Sequence, residues 1–187
     1  MALKPTTCKE AMARWETETG QVAAEAKEVL MQFQWPPIEK MDVALSSLVN
    51  CEKLSLSSNM IDKIGGIAGM HKLKILALGR NNIKSLGGLE TVADTLEELW
   101  ISYNPIEKLK GVEVLKNLRV LYMSNCSVKE WHEIKRLKQC PALRDLVLAG
   151  NPICENQPDM ETWRLQAVSY LEQIERLDGI PIVRHQQ

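Results

Sequence analysis

The chain has no apolar run approaching the ~20 residues that would cross a bilayer, and its opening, MALKPTTCKEAMARWE, has no apolar core like that of a secretory signal. Both absences favour an intracellular, cytoplasmic setting. No sign of charge dominates either: 23 basic residues face 24 acidic ones, a net charge of −1, so no overall field draws the chain to nucleic acid or to a membrane surface. Cysteine is sparse. Cys8, Cys51, Cys126, Cys140 and Cys154 are odd in number, scattered and without a CxxC pair, which reads as reduced, metal-free thiols. Histidine is scarcer still: His71, His132 and His185 stand apart, with no HExxH, GxSxG or Walker loop. The GGIAG at 65–69 lacks the preceding strand and the spacing of a dinucleotide fingerprint. No catalytic, cofactor or metal site is expected, and the chain reads as a non-enzyme.

What the sequence has is leucine at fixed intervals. CEKLSLSSNMI from residue 51, LKILALGRNNI from 73, LEELWISYNPI from 96, LRVLYMSNCSV from 118 and LRDLVLAGNPI from 143 share the pattern LxxLxLxxNxI, with starts stepping by 22, 23, 22 and 25. Five copies at near-constant spacing are a leucine-rich-repeat signature. The expected fold is therefore an α/β, right-handed solenoid with a concave parallel sheet, helical or 3₁₀ return segments on the convex side, and helical caps at both ends. Apolar residues about three apart, such as Leu86, Leu89, Val92 and Leu96, fit those return paths.

A single domain over 1–187 is expected, with an N-terminal helical cap at 1–35, repeats at 36–155 and a C-terminal cap at 156–187. An incomplete copy, Ile38, Met41, Leu45, Leu48 and Cys51, opens the repeats. In the first cap Thr7 is a candidate N-cap, with Glu10 completing a capping box. Gly20 breaks that helix, VAAEAKEVLMQF resumes a helical composition, and Pro36-Pro37 stops it. In the second, DMETWRLQAVSYLEQI reads as a helix, Asp178-Gly179 as a turn and Arg184 to Gln187 as a frayed end.

Repeat positions divide by duty. Residues at positions 1, 4 and 6 point into the core, and the Asn at position 9 (Asn59, Asn81, Asn104, Asn151) pairs backbone groups in the turn, a rung that Cys126 weakens in the fourth repeat. Positions 3, 5 and 7 alternate onto the concave face. Across the strands, position 5 is Ser55, Ala77, Trp100, Tyr122 and Val147, and position 3 is Lys53, Ile75, Glu98, Val120 and Asp145. Trp100 and Tyr122 are thus neighbours in an apolar stripe rimmed by Lys53, Glu98, Arg80 and Asp145, which points to a binding surface. Trp131 and Trp163 sit at core positions. Basic residues of the return segments, among them Lys135 and Arg136, alternate with Glu107, Glu113, Glu130 and Glu133 as a solvated face, and the aromatic face lacks the net positive charge that nucleic acid requires.

Beyond the repeat positions, TTCKEAMARWE, PPIEKMDVALSSL and LEELWISYNPIEKLKGVEVLKNLRVLYMSN closely resemble the leucine-rich-repeat light chains of axonemal outer-arm dynein, over residues 6 to about 155. The resemblance implies a non-catalytic regulatory subunit in the axoneme of a cilium or flagellum, bound to a dynein heavy chain near its microtubule-binding stalk tip, with tubulin as a candidate further contact. It implies a monomer within a multi-subunit complex. Carried onto this sequence, the interface is Ile75, Trp100, Tyr103, Val120, Tyr122 and Val147, with Arg80, Glu98, Asn125 and Asp145 at the rim. In the family a helix after the last repeat projects towards the motor; here the ending LDGIPIVRHQQ is short and without an acidic tail, so Arg184 and His185 are assigned no such contact. The rival readings are a scaffold of the same repeat class, either a regulator of the type 1 phosphatase or a spliceosomal repeat protein.

Overall fold

Each LxxLxL segment becomes a three-residue strand because its period-2 pattern buries the central leucine and presents its neighbours to the other side. The computed structural model describes residues 1–184. Seven strands run in parallel order along one sheet: β1 (Glu28–Leu30), β2 (Lys53–Ser55), β3 (Ile75–Ala77), β4 (Glu98–Trp100), β5 (Val120–Tyr122), β6 (Asp145–Val147) and β7 (Arg176–Leu177), with β8 (Ile180–Pro181) added antiparallel to β7. Leu54, Leu76, Leu99, Leu121 and Leu146 are register partners and are fully buried. Each contributes roughly 1.5–3 kcal/mol of apolar burial.

The return paths are short. They contain 3₁₀ turns at Val43–Ser47, Leu89–Val92, Val112–Val114 and Arg136–Gln139, the last continuing a helix α2 (Trp131–Lys135). Leu89, Val92 and Val112 face inward from them and are buried. A further short helix, α3 (Pro152–Glu155), follows the last Asn turn.

Asparagine holds the coils in step. Asn81 Oδ1 accepts from Ile61 N at 2.9 Å, while its Nδ2 donates to Leu56 O at 3.1 Å and Leu78 O at 3.0 Å. Asn59, Asn104 and Asn151 repeat this, taking the amides of Ile38, Ile83 and Val128. At Cys126 the ladder weakens as expected. The thiol reaches Ile101 O only at 3.6 Å, and Ile106 N turns to Asn104 O within its own coil.

The first cap, helix α1 (Cys8–Thr19), has the full capping box: Thr7 Oγ1 accepts from Glu10 N at 3.1 Å and Glu10 Oε2 from Thr7 N at 3.3 Å. Gly20 ends it at φ 69°, where a side chain would be strained. It seats Cys8, Ala11, Met12 and Trp15 on the first coil. The second cap, α4 (Met160–Tyr170), seats Trp163 and Ala167, and Trp163 stacks on Trp131 at 5.3 Å. Asp178 (φ 51°) and Gly179 (φ 77°) form the turn between β7 and β8; two positive φ values suit a tight hairpin.

Three expectations are corrected. Residues in VAAEAKEVLMQF do not resume a helix: Glu28–Leu30 pairs with β2 in register, so the sheet begins before residue 36. Val29 and Met31 are fully buried and alternate, and pairing with a neighbouring strand overrides local helix propensity. Arg184 is not frayed, since its guanidinium donates to Ile174 O at 2.6 Å and Leu171 O at 3.0 Å; residues 185–187, the rest of that expectation and including His185, lie outside the described residues. Glu133 is not solvated. It is 2% exposed, with Oε2 accepting from Leu109 N at 2.7 Å and from Arg136 Nε at 3.1 Å.

Candidate functional site

Trp100 is held in place from several sides. Its position in β4 points it onto the concave face, where its indole Nε1 donates to Glu98 Oε2 at 3.0 Å. Its ring stacks on Tyr122, one strand along, with centroids 6.2 Å apart and planes 23° from parallel. From β2, on the opposite side of Trp100 in the strand order, the Lys53 ammonium comes to 5.1 Å from the ring centroid. The indole is therefore half-buried, not simply left in water.

Tyr122 repeats the device. Its hydroxyl donates to Asp145 Oδ2 at 3.1 Å, and burial, followed by that carboxylate, pushes its pKa up, so the phenol keeps its proton through neutral pH. Asp145 Oδ1 is closed off from solvent without a partner. Ile75, Val120 and Val147 lie half-buried beside the two rings, and Ile75↔Glu98↔Val120↔Asp145 are successive register partners. Glu98 and Asp145 thus sit within the patch, each bonded to a ring donor.

Beyond the strands, Ser58, Arg80, Tyr103 and Asn125 each adopt a left-handed backbone, with φ between 52° and 59°, and this turns their side chains out along one margin. Tyr103 is 46% exposed, and the Arg80 guanidinium lies 4.0 Å from its ring centroid. All ten residues expected from the sequence therefore fall on one face. The expectation missed its continuation: Leu30 of β1 extends the position-5 row, and Phe33 (φ 55°, 80% exposed) extends the left-handed row. The signal was present in the apolar alternation of Val29 and Met31. It was hidden because Val29 to Ile38 is nine residues, where Leu54 to Ile61 is seven.

The residues around the rings offer hydrogen bonds and apolar area. All five cysteines are free and buried, and burial pushes their thiols up, to about 11 for Cys8, Cys51 and Cys140 and about 12 for Cys154. Among the described residues no group of three or more His, Cys, Asp or Glu side chains is placed to hold a metal ion.

The sequence is 56% identical to dynein axonemal light chain 1 of Homo sapiens over 181 residues, covering 97% of this chain and 95% of the relative. It is 50% identical to dynein axonemal light chain 1 of Chlamydomonas reinhardtii over 183 residues, covering 96% and 92%.

The chain belongs to the axonemal dynein light chain 1 family.

A family model described as leucine-rich repeats, two copies, matches residues 49–91. Solved structures extend the likeness in fold alone. An internalin of Listeria monocytogenes superposes with a TM-score of 0.62 at 17% identity, covering 80% of this chain and 39% of its own. The Drosophila melanogaster SNF/U2A' complex gives 0.62 at 20%, covering 70% and 74%.

Proposed function

We propose that the protein is a non-catalytic regulatory subunit of outer-arm dynein in the axoneme of cilia or flagella, and that its concave face binds a dynein heavy chain at the microtubule-binding stalk tip and tunes motor output. The observation that carries this reading is the contiguous stripe of Trp100, Tyr122, Ile75, Val120 and Val147 on a face that neither cap covers. Trp, Tyr and Arg dominate binding hot spots, and here Trp100, Tyr122, Tyr103 and Arg80 are held in fixed poses by neighbours, so little side-chain freedom is lost on docking. A standard interface of roughly 1,200–2,000 Å² would cover the stripe and its margin. Family membership supports a dynein partner: the relatives are dynein light chains by name.

Affinity capture from ciliary extract with the wild-type chain, against a Trp100→Ala control, tests the partner. Heavy chain retained by the wild type and lost from the control is the expected result. Retention of a type 1 phosphatase or of spliceosomal protein in its place would favour a scaffold of the same repeat class. Tubulin as a direct contact is a separate matter, read by microtubule co-sedimentation of the isolated chain.

A further inference from the structure

Two cations lie on the outward aromatics of the concave face: Lys53 on Trp100 and Arg80 on Tyr103. Among the described residues neither cation has a carboxylate within 4.0 Å. The nearby acids are engaged elsewhere, Glu98 with the Trp100 indole and Asp145 with the Tyr122 hydroxyl. Glu28, the register partner of Lys53, forms no ion pair with it. The cations are therefore pre-placed on apolar rings, with donors free for an incoming acceptor.

Apolar surface resumes on the far side of these cations. Leu30 is 36% exposed and Phe33 80% exposed, while the floor between Leu30 and Trp100 is the small, covered pair Ser55 and Ala77. From β1 to β5 the face thus reads apolar, cationic, aromatic. Leu30 and Trp100 are three strand steps apart, roughly 14 Å at ~4.8 Å per step, which is two to three turns of an α-helix at ~5.4 Å per turn.

We propose that the concave face takes an acidic amphipathic helix, with carboxylates that pair with Lys53 and Arg80 and with apolar side chains two to three turns apart that seat against Leu30/Phe33 and Trp100/Tyr122. The proposal rests on the reading of this face as the heavy-chain docking surface and specifies what the heavy chain presents to it. A carboxylate arriving at either cation forms a charge-assisted pair over an aromatic ring, where water is partly excluded. A basic helix of the same shape gains no such pair at Lys53 or Arg80 and meets a like charge at both positions, although Glu98 and Asp145 keep their negative charge within the patch.

The test is a titration of purified full-length heavy chain with the whole chain and its variants. Lys53→Glu and Arg80→Glu should each weaken binding roughly tenfold or more. Lys53→Arg should retain most of it, and Phe33→Ala should weaken it. Lys84→Glu makes the same change of charge at an exposed return-loop position and should bind as wild type. Wild-type binding should fall as salt rises. Wild-type or tighter binding by either charge reversal, or unchanged binding by Phe33→Ala, overturns the proposal while Trp100→Ala still abolishes docking. Undiminished binding by Trp100→Ala overturns the docking reading itself, and this proposal with it. Unchanged circular dichroism and melting temperature, together with the Lys53→Arg result, separate lost contacts from lost folding.

Discussion

Asn81 and Cys126 occupy the same place two turns apart in the solenoid and illustrate what one side chain does there. Asn81 satisfies an amide and two carbonyls that are buried, and an unpaired buried polar group costs about 1–3 kcal/mol. Asn81→Ala should therefore lower stability by about 2–4 kcal/mol, read from denaturant midpoints at unchanged m-value. Cys126 leaves its rung under-bonded, so Cys126→Asn should be neutral or stabilising by about 1 kcal/mol, with Ile106 N gaining a side-chain acceptor. Thiol chemistry is the other residue-scale test. Burial raises the pKa of all five thiols, so at pH 7–8 little thiolate is present and a thiol reagent should label native protein only as fast as it opens. Immediate labelling of Cys126 would contradict its place in the core.

At the scale of elements, the sequence shows the strands more plainly than the turns between them. Leucine spacing locates β2 to β6 because those positions repeat without insertion, and seven of the ten candidate interface residues follow from strand alternation, while Arg80, Tyr103 and Asn125 lie just past the strands on left-handed backbone. Strand β1 escapes because two extra residues before Ile38 break the register and because Ala, Glu and Lys around it favour helix. The poses of Lys53 over Trp100 and of Glu133 under Leu109 escape for another reason: both join residues on different coils, at a separation that no local pattern encodes. Return turns carry their own constraint. Gly88 and Gly111 share nearly the same φ, 102° and 101°, yet a Cβ at Gly88 would collide with the Ile64 carbonyl, whereas at Gly111 the nearest atom is Leu86 O at 3.7 Å. Gly88→Ala should thus destabilise clearly more than Gly111→Ala, with a difference of about 1–2 kcal/mol in thermal or chemical melts. Equal losses would show that φ alone sets the cost.

For the whole molecule, the ladder of leucines and asparagines sets a rigid frame, two caps close its ends, and the concave face is left free of core duty. That separation is physical. Core positions and face positions alternate along the same strands, so Trp100 can be truncated without opening a cavity beneath it, in contrast to Leu99 beside it. The caps reinforce the division: α1 and α4 bury Trp15 and Trp163 against the terminal coils and leave the stripe uncovered. The most direct measurement is the affinity of Trp100→Ala for purified outer-arm dynein heavy chain, alongside its melting temperature. The expected result is a near-native melting temperature with binding reduced roughly thirtyfold or more, on the order of the 2–4 kcal/mol lost at an interface hot spot. A well-folded variant that binds as tightly as wild type would contradict the assignment of this face to the heavy chain.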